Sequence, residues 1–261
     1  MKAAIRTRRV NGVFELTLDR PKANAIDLGT SRKMGEAFLR FRDDDTLRVA
    51  IVRTAGEKFF SGGWDLKAAA GGEAVDGDYG VGGFAGLQEL RGLNKPVIAA
   101  VEGMAVGGGF ELALAADLIY ATESSSFCLP EIYAGTLADA ATCKLPKRIP
   151  YHVAMDMLYT GRWMSAEEAR QWGLLCELLP NGKALYKRAW EVAKMLASGP
   201  QLVFAAIKEV AREAEAMKFQ ETMNNITKRQ FATVDALYGS ENNREGAKAF
   251  ADKRAPRWKK K

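Results

Sequence analysis

Apolar runs and alternating positions predict a series of short strands in the first half of the chain. Val13–Leu18 alternates apolar and polar residues, as a strand with one buried face does. Residues 47–53, rich in Val and Ile, and Val97–Val101 are more continuous and suit buried strands. Residues 118–121 and 126–129 predict two further strands.

Helical spacing of apolar residues separates these strands. Residues 31–42 predict a helix, with Thr30 or Ser31 as its N-cap, and residues 84–93 predict another. Strands and helices alternate up to about residue 190. The fold class indicated is α/β, with a parallel-type core.

The last part of the chain is mostly helical from about residue 166 onward. Pro200 is expected at the first position of a long helix that reaches about residue 217. Further helices are predicted at 221–237 and 245–254. The pattern therefore adds a helical C-terminal part to the α/β core.

Two glycine turns and two carboxylates carry the candidate chemistry. The first glycine turn lies at residues 61–63, and the second, Gly107 to Gly109, precedes a helix whose first turn contains Glu111. Backbone N–H groups at such turns can hold a developing oxyanion, because glycine lets a substrate approach closely. Glu131 follows twenty residues after Glu111. A carboxylate pair can hold one water and move protons beside the oxyanion.

Each of these features also has an ordinary structural explanation. Glu111 alone can compensate a helix dipole, Glu131 alone can cap the turn after Pro130, and three glycines can serve packing. No Walker or dinucleotide-binding glycine motif is present. His152 is the only histidine, which disfavours a Ser-His-Asp triad or a histidine metal site.

Composition narrows the class of protein. The three cysteines are widely spaced and form no CxxC pair, so we expect no disulfide framework and no zinc site, in a reducing, cytoplasmic compartment. The start of the chain lacks the apolar segment of a signal peptide, and no apolar run is long enough to span a membrane.

A net charge of +6 admits nucleic acid, anionic lipid or a phosphorylated small ligand as partner, or only a solubilising surface. The only dense basic cluster is the tail at residues 253–261. Elsewhere the basic residues are mostly scattered and lack interleaved aromatic residues or a recognition motif, which disfavours nucleic acid. The glycine-rich segment 71–83 is expected to be a flexible loop that covers the site as a lid.

Four segments, at 18–24, 60–67, 95–117 and 129–135, resemble the crotonase (enoyl-CoA hydratase/isomerase) superfamily. The likeness covers nearly the whole chain. It implies a crotonase-like spiral of β-β-α units with a C-terminal helical oligomerisation region. Residues 1–195 would form the core with the acyl-CoA site. Residues 196–261 would form a trimer, or a hexamer of two trimers.

The resemblance also implies roles for individual residues. The catalytic glutamates of the family fall on Glu111 and Glu131, and its oxyanion donors on the N–H groups of Trp64 and Gly108. CoA would enter as part of the substrate, with no metal or redox cofactor. The residues expected to contact CoA are Lys22, Gly62, Trp64, Asp65, Leu66, Lys67 and Lys253.

Within the superfamily, five segments, at 24–27, 56–61, 63–70, 82–87 and 107–117, most resemble enzymes that interconvert carnitinyl-CoA and crotonobetainyl-CoA. This implies a trimethylammonium group on the acyl chain, which an aromatic face or a carboxylate would bind. Trp64, Phe84 and Tyr133 are the aromatic candidates. The alternatives are a general enoyl-CoA hydratase or isomerase, and a weakly active binder of CoA esters.

Residues 137–146 depart from the pattern of the superfamily. Ala138 replaces a proline, Ala141 and Thr142 replace a glycine pair, and one residue is missing before Lys144. Side chains thus occupy positions that are usually bare. We therefore expect this loop to follow a different course and to change the shape of the acyl pocket.

Overall fold

Two sheets form the core of the computed structural model, which describes residues 3–74 and 77–259. Residues 75 and 76 of the predicted lid and the last two lysines of the basic tail therefore lie outside the described residues. The strands are β1 Ile5–Val10, β2 Val13–Leu18, β3 Val49–Thr54, β4 Phe59–Ser61, β5 Val97–Val101, β6 Met104–Val106, β7 Leu118–Thr122, β8 Ser126–Cys128, β9 Met164–Ser165 and β10 Glu177–Leu179.

Helices follow and flank these strands. They are α1 Leu28–Asp43, α2 Leu66–Ala70, α3 Gly108–Leu114, α4 Glu131–Ala134, α5 Asp139–Lys144, α6 Tyr151–Thr160, α7 Ala166–Gln171, α8 Gly182–Ser198, α9 Gln201–Ala214, α10 Phe219–Thr227, α11 Ala232–Gly239 and α12 Asn242–Ala251. Two short 3₁₀ turns lie at Phe84–Gly86 and Leu145–Lys147.

The chain winds as a spiral between the two sheets. One sheet has the order β1-β2-β3-β5-β7-β10 and the other β4-β6-β8-β9, so successive strands from β3 to β8 alternate between them. A helix follows each pair: α2 after β4, α3 after β6 and α4 after β8. All pairings are parallel except β1 with β2 and β8 with β9. The predicted α/β spiral of β-β-α units is confirmed.

Burial of apolar side chains holds the layers together. The largest cluster includes Phe14, Phe38 and Phe41, whose side chains are almost completely buried. A second cluster packs α8 against the other face of the larger sheet. A small separate cluster, with Phe231 and Val234, joins α9 to α11. The division at residues 195 and 196 stays a prediction, and that boundary falls within α8.

An ion pair connects the helical C-terminal part to the core. The Lys208 ammonium on α9 contacts Asp117 Oδ2 at 2.7 Å and donates to the carbonyl of Lys95 at 3.0 Å. The same Asp117 oxygen accepts the N–H of Val97 at 2.8 Å. One carboxylate therefore ties α9 to the start of β5.

Helix α1 begins a turn earlier than the sequence predicts. Asp27, and not Thr30 or Ser31, is its N-cap, and the Asp27 carboxylate accepts the N–H of Thr30 at 2.7 Å. The prediction placed the cap on the hydroxyl residues beside the first periodic apolar positions. Asp27 serves as the N-cap because its negatively charged carboxylate complements the positive N-terminal end of the helix dipole.

Two other predictions of helix are wrong in part. Residues 84–93 form only the 3₁₀ turn Phe84–Gly86, because Ala85 and Gly86 have positive φ angles. The part after residue 166 is mostly helical as predicted, and it also contains β10, which pairs with β7. Residues 221–237 form α10 and α11, with Arg229 at positive φ between them.

No helix of the described part of the chain has the length and apolar character needed to cross a membrane.

Candidate active site

The two glycine turns predicted from the sequence lie directly against each other. Gly63 has a φ of +76°, and a Cβ added there would lie 2.6 Å from the Val106 carbonyl oxygen and 2.7 Å from the Gly108 nitrogen. Both distances are too short for any side chain. Glycine at position 63 therefore lets the backbone of the first turn touch the start of α3.

Buried side chains fix the course of the first turn. The Ser61 hydroxyl donates to the Asn24 carbonyl at 2.7 Å and accepts the N–H of Gly63 at 3.1 Å. The Asn24 amide in turn donates to the carbonyls of Ala55 and Phe59, each at 2.9 Å. The turn is thus hydrogen-bonded to its flanking segments before any substrate binds.

Arg20 connects the starts of two helices beside this turn. Its guanidinium contacts the N-cap of α1, Asp27, at 2.6 Å and the N-cap of α2, Asp65, also at 2.6 Å. Asp65 accepts the N–H groups of Lys67 at 3.0 Å and Ala68 at 3.3 Å. Although burial opposes ionisation, these contacts hold the pKa of Asp65 below its ordinary value. Asp65 thus has a structural task.

The N–H groups of Trp64 and Gly108 have no acceptor among the residues that the structure describes. In the short parallel bridge beside Trp64, the N–H of Ile26 binds the Gly63 carbonyl and the N–H of Asp65 binds the Ile26 carbonyl, which leaves the Trp64 N–H unshared. Gly108 is the first residue of α3 and has no helical acceptor. Two backbone donors therefore remain for a ligand.

Glu111 lies in the first turn of α3 with only 6% of its surface exposed. Its Oε1 accepts the N–H of Ala141 at 2.9 Å, and its Oε2 accepts from the Gln88 amide at 3.4 Å. Burial raises the pKa of Glu111, and these two hydrogen bonds oppose the shift. The carboxylate is therefore oriented by two donors and poised for proton transfer.

Glu131 is the first residue of α4 and faces the second glycine turn. A Cβ added at Gly107, which has a φ of +53°, would lie 2.7 Å from Glu131 Oε1. The other oxygen, Oε2, is buried and has no hydrogen-bond partner among the described residues. Burial, with a smaller effect of Glu111, raises the pKa of Glu131 to about 7. A carboxyl group with such a pKa suits proton exchange near neutral pH.

A cavity of about 1070 Å³ joins these groups. Its wall includes Gly62, Trp64, Gly107, Gly108, Glu111 and Glu131. Its aromatic side chains are Trp64, Tyr79, Phe84 and Tyr133, and its charged side chains are Glu89, Glu111, Glu131, Asp139 and Lys144. The structure therefore brings the four predicted chemical groups and the three predicted aromatic side chains to one cavity, whose size suits a small acyl group and part of its carrier.

The residues predicted to contact CoA divide into two sets. Gly62, Trp64 and Leu66 line the cavity. The other four, Lys22, Asp65, Lys67 and Lys253, do not line it, and the three lysines are exposed. Lys253 is exposed after α12, in the helical C-terminal part. Roles in CoA binding remain predictions for all seven residues.

Several polar side chains at the cavity were missed by sequence reasoning, among them Gln88, Glu89, Asp139 and Lys144. Asp139 lies close enough to raise the pKa of both Glu111 and Glu131. The only signal was that residues 137–146 depart from the superfamily. The structure shows that this segment forms α5, with the small side chains of Ala138 and Ala141 buried.

The predicted lid is attached to α1 over its described residues. Ser31 donates its hydroxyl to the carbonyls of Tyr79 and Gly83, each at 3.2 Å. Glu73 accepts the N–H of Leu28 at 2.7 Å. These contacts hold Tyr79 beside the cavity.

No group of three or more acidic, histidine or cysteine side chains within residues 3–74 and 77–259 has the arrangement of a metal site.

Comparisons with known proteins agree with this geometry. The family model for enoyl-CoA hydratase/isomerase matches residues 8–261. A carnitinyl-CoA dehydratase of Salmonella arizonae is 52% identical over 260 residues, and one of Salmonella typhi is 50% identical over 260 residues, with 99% of both chains covered in each case. The crystal structure of an enoyl-CoA hydratase from Mycobacterium tuberculosis superposes with a TM-score of 0.89 at 36% identity, over 100% of both chains. The chain therefore belongs to the enoyl-CoA hydratase/isomerase family.

Proposed function

We propose that the protein catalyses reversible addition of water to the double bond of an enoyl-CoA thioester. The observation that carries this proposal is the meeting of two unshared backbone N–H groups and two carboxyl groups at one cavity. Hydration of an enoyl thioester needs both kinds of group. The N–H groups stabilise the negative charge that develops on the thioester oxygen, and the carboxyl groups remove a proton from water and add one to Cα.

The N–H groups of Trp64 and Gly108 receive the thioester oxygen as it becomes an enolate. Both donors are fixed by the surrounding backbone, so little reorganisation is needed when the charge develops. Removal of one such donor in other enzymes costs about 3–4 kcal/mol of transition-state stabilisation. Because such hydrogen bonds are stronger to the enolate than to the bound substrate, they lower the barrier to the reaction.

Glu111 and Glu131 divide the proton transfers. In hydration, ionised Glu111 takes a proton from water as the water oxygen bonds to Cβ, and protonated Glu131 gives its proton to Cα. In dehydration, Glu131 removes the Cα proton and Glu111 protonates the departing hydroxyl group. Burial, which raises the pKa of Glu131 to about 7, keeps a protonated form available at neutral pH.

CoA enters as part of the substrate, and no other cofactor is proposed. It runs along the turn at residues 62–67, where Gly62 and Leu66 already border the cavity. Lys22 and Lys67, both exposed, are the proposed partners of its phosphates.

The acyl group proposed is a betaine, as in carnitinyl-CoA and crotonobetainyl-CoA. The names of the relatives that are 50–52% identical support this choice. The cavity supports it independently, because its described wall carries four carboxylates against the single cation of Lys144. Aromatic faces of Trp64, Phe84 and Tyr133 add sites where a trimethylammonium group can bind.

Self-association into a trimer or a hexamer is also proposed. Ile207, Phe219 and Phe250 in the C-terminal helices are 60%, 79% and 87% exposed, which is unusual for apolar side chains unless they meet a partner. Lys253 lies near Phe250 in sequence, and we propose that it reaches the CoA of a neighbouring subunit. The cytoplasm is the proposed compartment, since the three cysteines are free thiols.

The experiment compares crotonobetainyl-CoA with crotonyl-CoA by loss of the conjugated enoyl-thioester absorbance. We expect the wild type to prefer the betaine ester, and E111Q and E131Q each to lower kcat by about 10²–10⁴-fold. Preference for crotonyl-CoA would replace the betaine assignment by a general hydratase. Full hydration by either glutamine variant would refute the assignment of the two carboxylates.

A further inference from the structure

Lys144 is a half-buried cation without an ion pair. It is the last residue of α5, its side chain lines the cavity, and the described residues offer it neither a hydrogen bond nor a salt bridge. Buried or half-buried lysines are normally paired, so an unpaired one at an active site calls for an explanation.

The helix that carries Lys144 also holds Glu111. Ala141 of α5 donates its N–H to Glu111 Oε1 at 2.9 Å. Lys144 follows three residues later, on the same face of the helix. Helical side chains lean towards the N-terminus of their helix, so the Lys144 side chain extends over the turn that contains Ala141. This brings its ammonium group towards the Glu111 carboxylate.

Two carboxylates, those of Glu111 and Glu215, act on Lys144 with their charge, and Glu215 is already paired. Glu215 is the second anion whose charge acts on it, but Glu215 contacts Lys147 at 3.2 Å and Arg148 at 2.8 Å. Glu111, by contrast, accepts hydrogen bonds from the Gln88 amide and the backbone of α5, and forms no salt bridge among the described residues. The lysine and the glutamate therefore complement each other in charge across the cavity wall.

The other ionisable groups that face Glu111 are anionic. Asp139 of α5 disfavours ionisation of Glu111, and Glu111 in turn disfavours ionisation of Glu131 of α4. The remaining elements packed against α3, namely β4, β6 and the 3₁₀ turn Phe84–Gly86, carry no ionisable side chain. Lys144 is thus the cation of the described cavity wall that opposes the charge of Asp139 and the effect of burial on Glu111.

We propose that Lys144 is a positioning residue that keeps the Glu111 carboxylate ionised, so that Glu111 can take the proton of the attacking water. This role rests on the proposed function, in which Glu111 is the base for hydration. Loss of the ammonium group would leave Glu111 near the Asp139 carboxylate with no compensating charge. Glu111 would then hold its proton to higher pH and would activate water less well at acid and neutral pH.

The test compares K144M, K144R and K147M with the wild type. The pH dependence of kcat/KM is measured for hydration of whichever enoyl ester the wild type accepts. In K144M we expect the acid limb to move up by about one pH unit, with about a tenfold loss of kcat/KM on that limb and little change above it. K144R keeps the charge and should keep the wild-type limb. K147M removes a neighbouring lysine that is paired with Glu215 outside the cavity, and should also leave the limb in place.

An unchanged acid limb in K144M, or an equal shift in K147M, would overturn the proposal. Thermal melts distinguish an effect of Lys144 on Glu111 from a structural role of Lys144. Replacing an unpaired cation by methionine should not lower Tm, so a shifted acid limb with an unchanged Tm supports the effect on Glu111. If K144M does not fold, K144Q replaces it. A carboxyl-carbon NMR titration, with E111Q to assign Glu111, reads the same shift without turnover. The NMR titration therefore tests the role of Lys144 even if the protein does not catalyse hydration.

Discussion

Replacement of Gly63 by alanine adds one carbon at the point where the two glycine turns touch. That Cβ would lie 2.6 Å from the Val106 carbonyl oxygen and 2.7 Å from the Gly108 nitrogen. Ordinary contact distances are near 3.5 Å, so one turn must move by about 0.5–1 Å. The carbon falls beside the Gly108 N–H that the proposed mechanism uses, so the oxyanion site loses its geometry.

The magnitude of the G63A effect has two parts. The φ of +76° costs an alanine about 1–2 kcal/mol of stability. Displacement of an oxyanion donor costs about 10²–10³-fold in kcat. We therefore expect kcat to fall by about that factor, with Tm lower by several degrees because a domain of this size loses about 2–4 °C per kcal/mol.

Gly56 provides a matched control. Its φ is +84°, close to that of Gly63, but a Cβ added there meets nothing within 4 Å. G56A should therefore lose similar stability through backbone strain and retain kcat within about twofold. Steady-state kinetics and thermal melts of both variants separate strain from loss of the oxyanion site. A folded G63A protein with kcat near that of the wild type would refute the oxyanion assignment.

Three further predictions concern charges. Burial raises the pKa of Glu131 from its ordinary value of 4.5 to about 7, so the folded protein holds a proton that the unfolded chain has released, and stability falls as pH rises through this range. E131Q has no carboxyl group at this position, so its stability should not fall in this way. In denaturant titrations, its free energy of unfolding relative to that of the wild type should rise by about 2 kcal/mol between pH 4 and pH 8. A difference that stays constant with pH would contradict the burial argument. D117N leaves the half-buried Lys208 ammonium without its anion and should lower the free energy of unfolding by about 1–2 kcal/mol, with partial recovery in D117N/K208M. Equal values for the two variants would mean that the ion pair is not the cause. D139N removes a carboxylate from the cavity. The ratio of kcat/KM for crotonobetainyl-CoA to that for crotonyl-CoA should fall about 3- to 10-fold. An unchanged ratio would mean that the trimethylammonium group of the substrate binds elsewhere.

The strands of the core were largely predictable, because continuous apolar runs such as Val97–Val101 leave little choice when both faces of a parallel sheet are buried. The two glycine turns and the two carboxylates were also visible, since their residue types are restricted by chemistry. The segment at 84–93 misled the prediction. Its apolar residues have helical spacing, but the backbone turns at Ala85 and Gly86, where positive φ angles end the helix at once.

The environment of Glu111 could not be predicted, for a different reason. One of its partners is the backbone N–H of Ala141, and every residue except proline has such a group, so the sequence carries no sign of it. The roles of Asp139 and Lys144 depend on the course of the segment around α5. That course is set by tertiary packing of small residues such as Ala138, which spacing along the chain does not reveal.

The use of a backbone donor for Glu111 has an evolutionary consequence. A main-chain N–H is the same whichever side chain a residue carries, so substitutions in α5 that preserve the helix and fit the buried space at Ala141 leave this contact intact. Proline at position 141 is the exception, because it has no N–H. Side chains of α5 that face the cavity, apart from Lys144, can therefore diversify under selection for new acyl groups while Glu111 keeps its main-chain hydrogen bond.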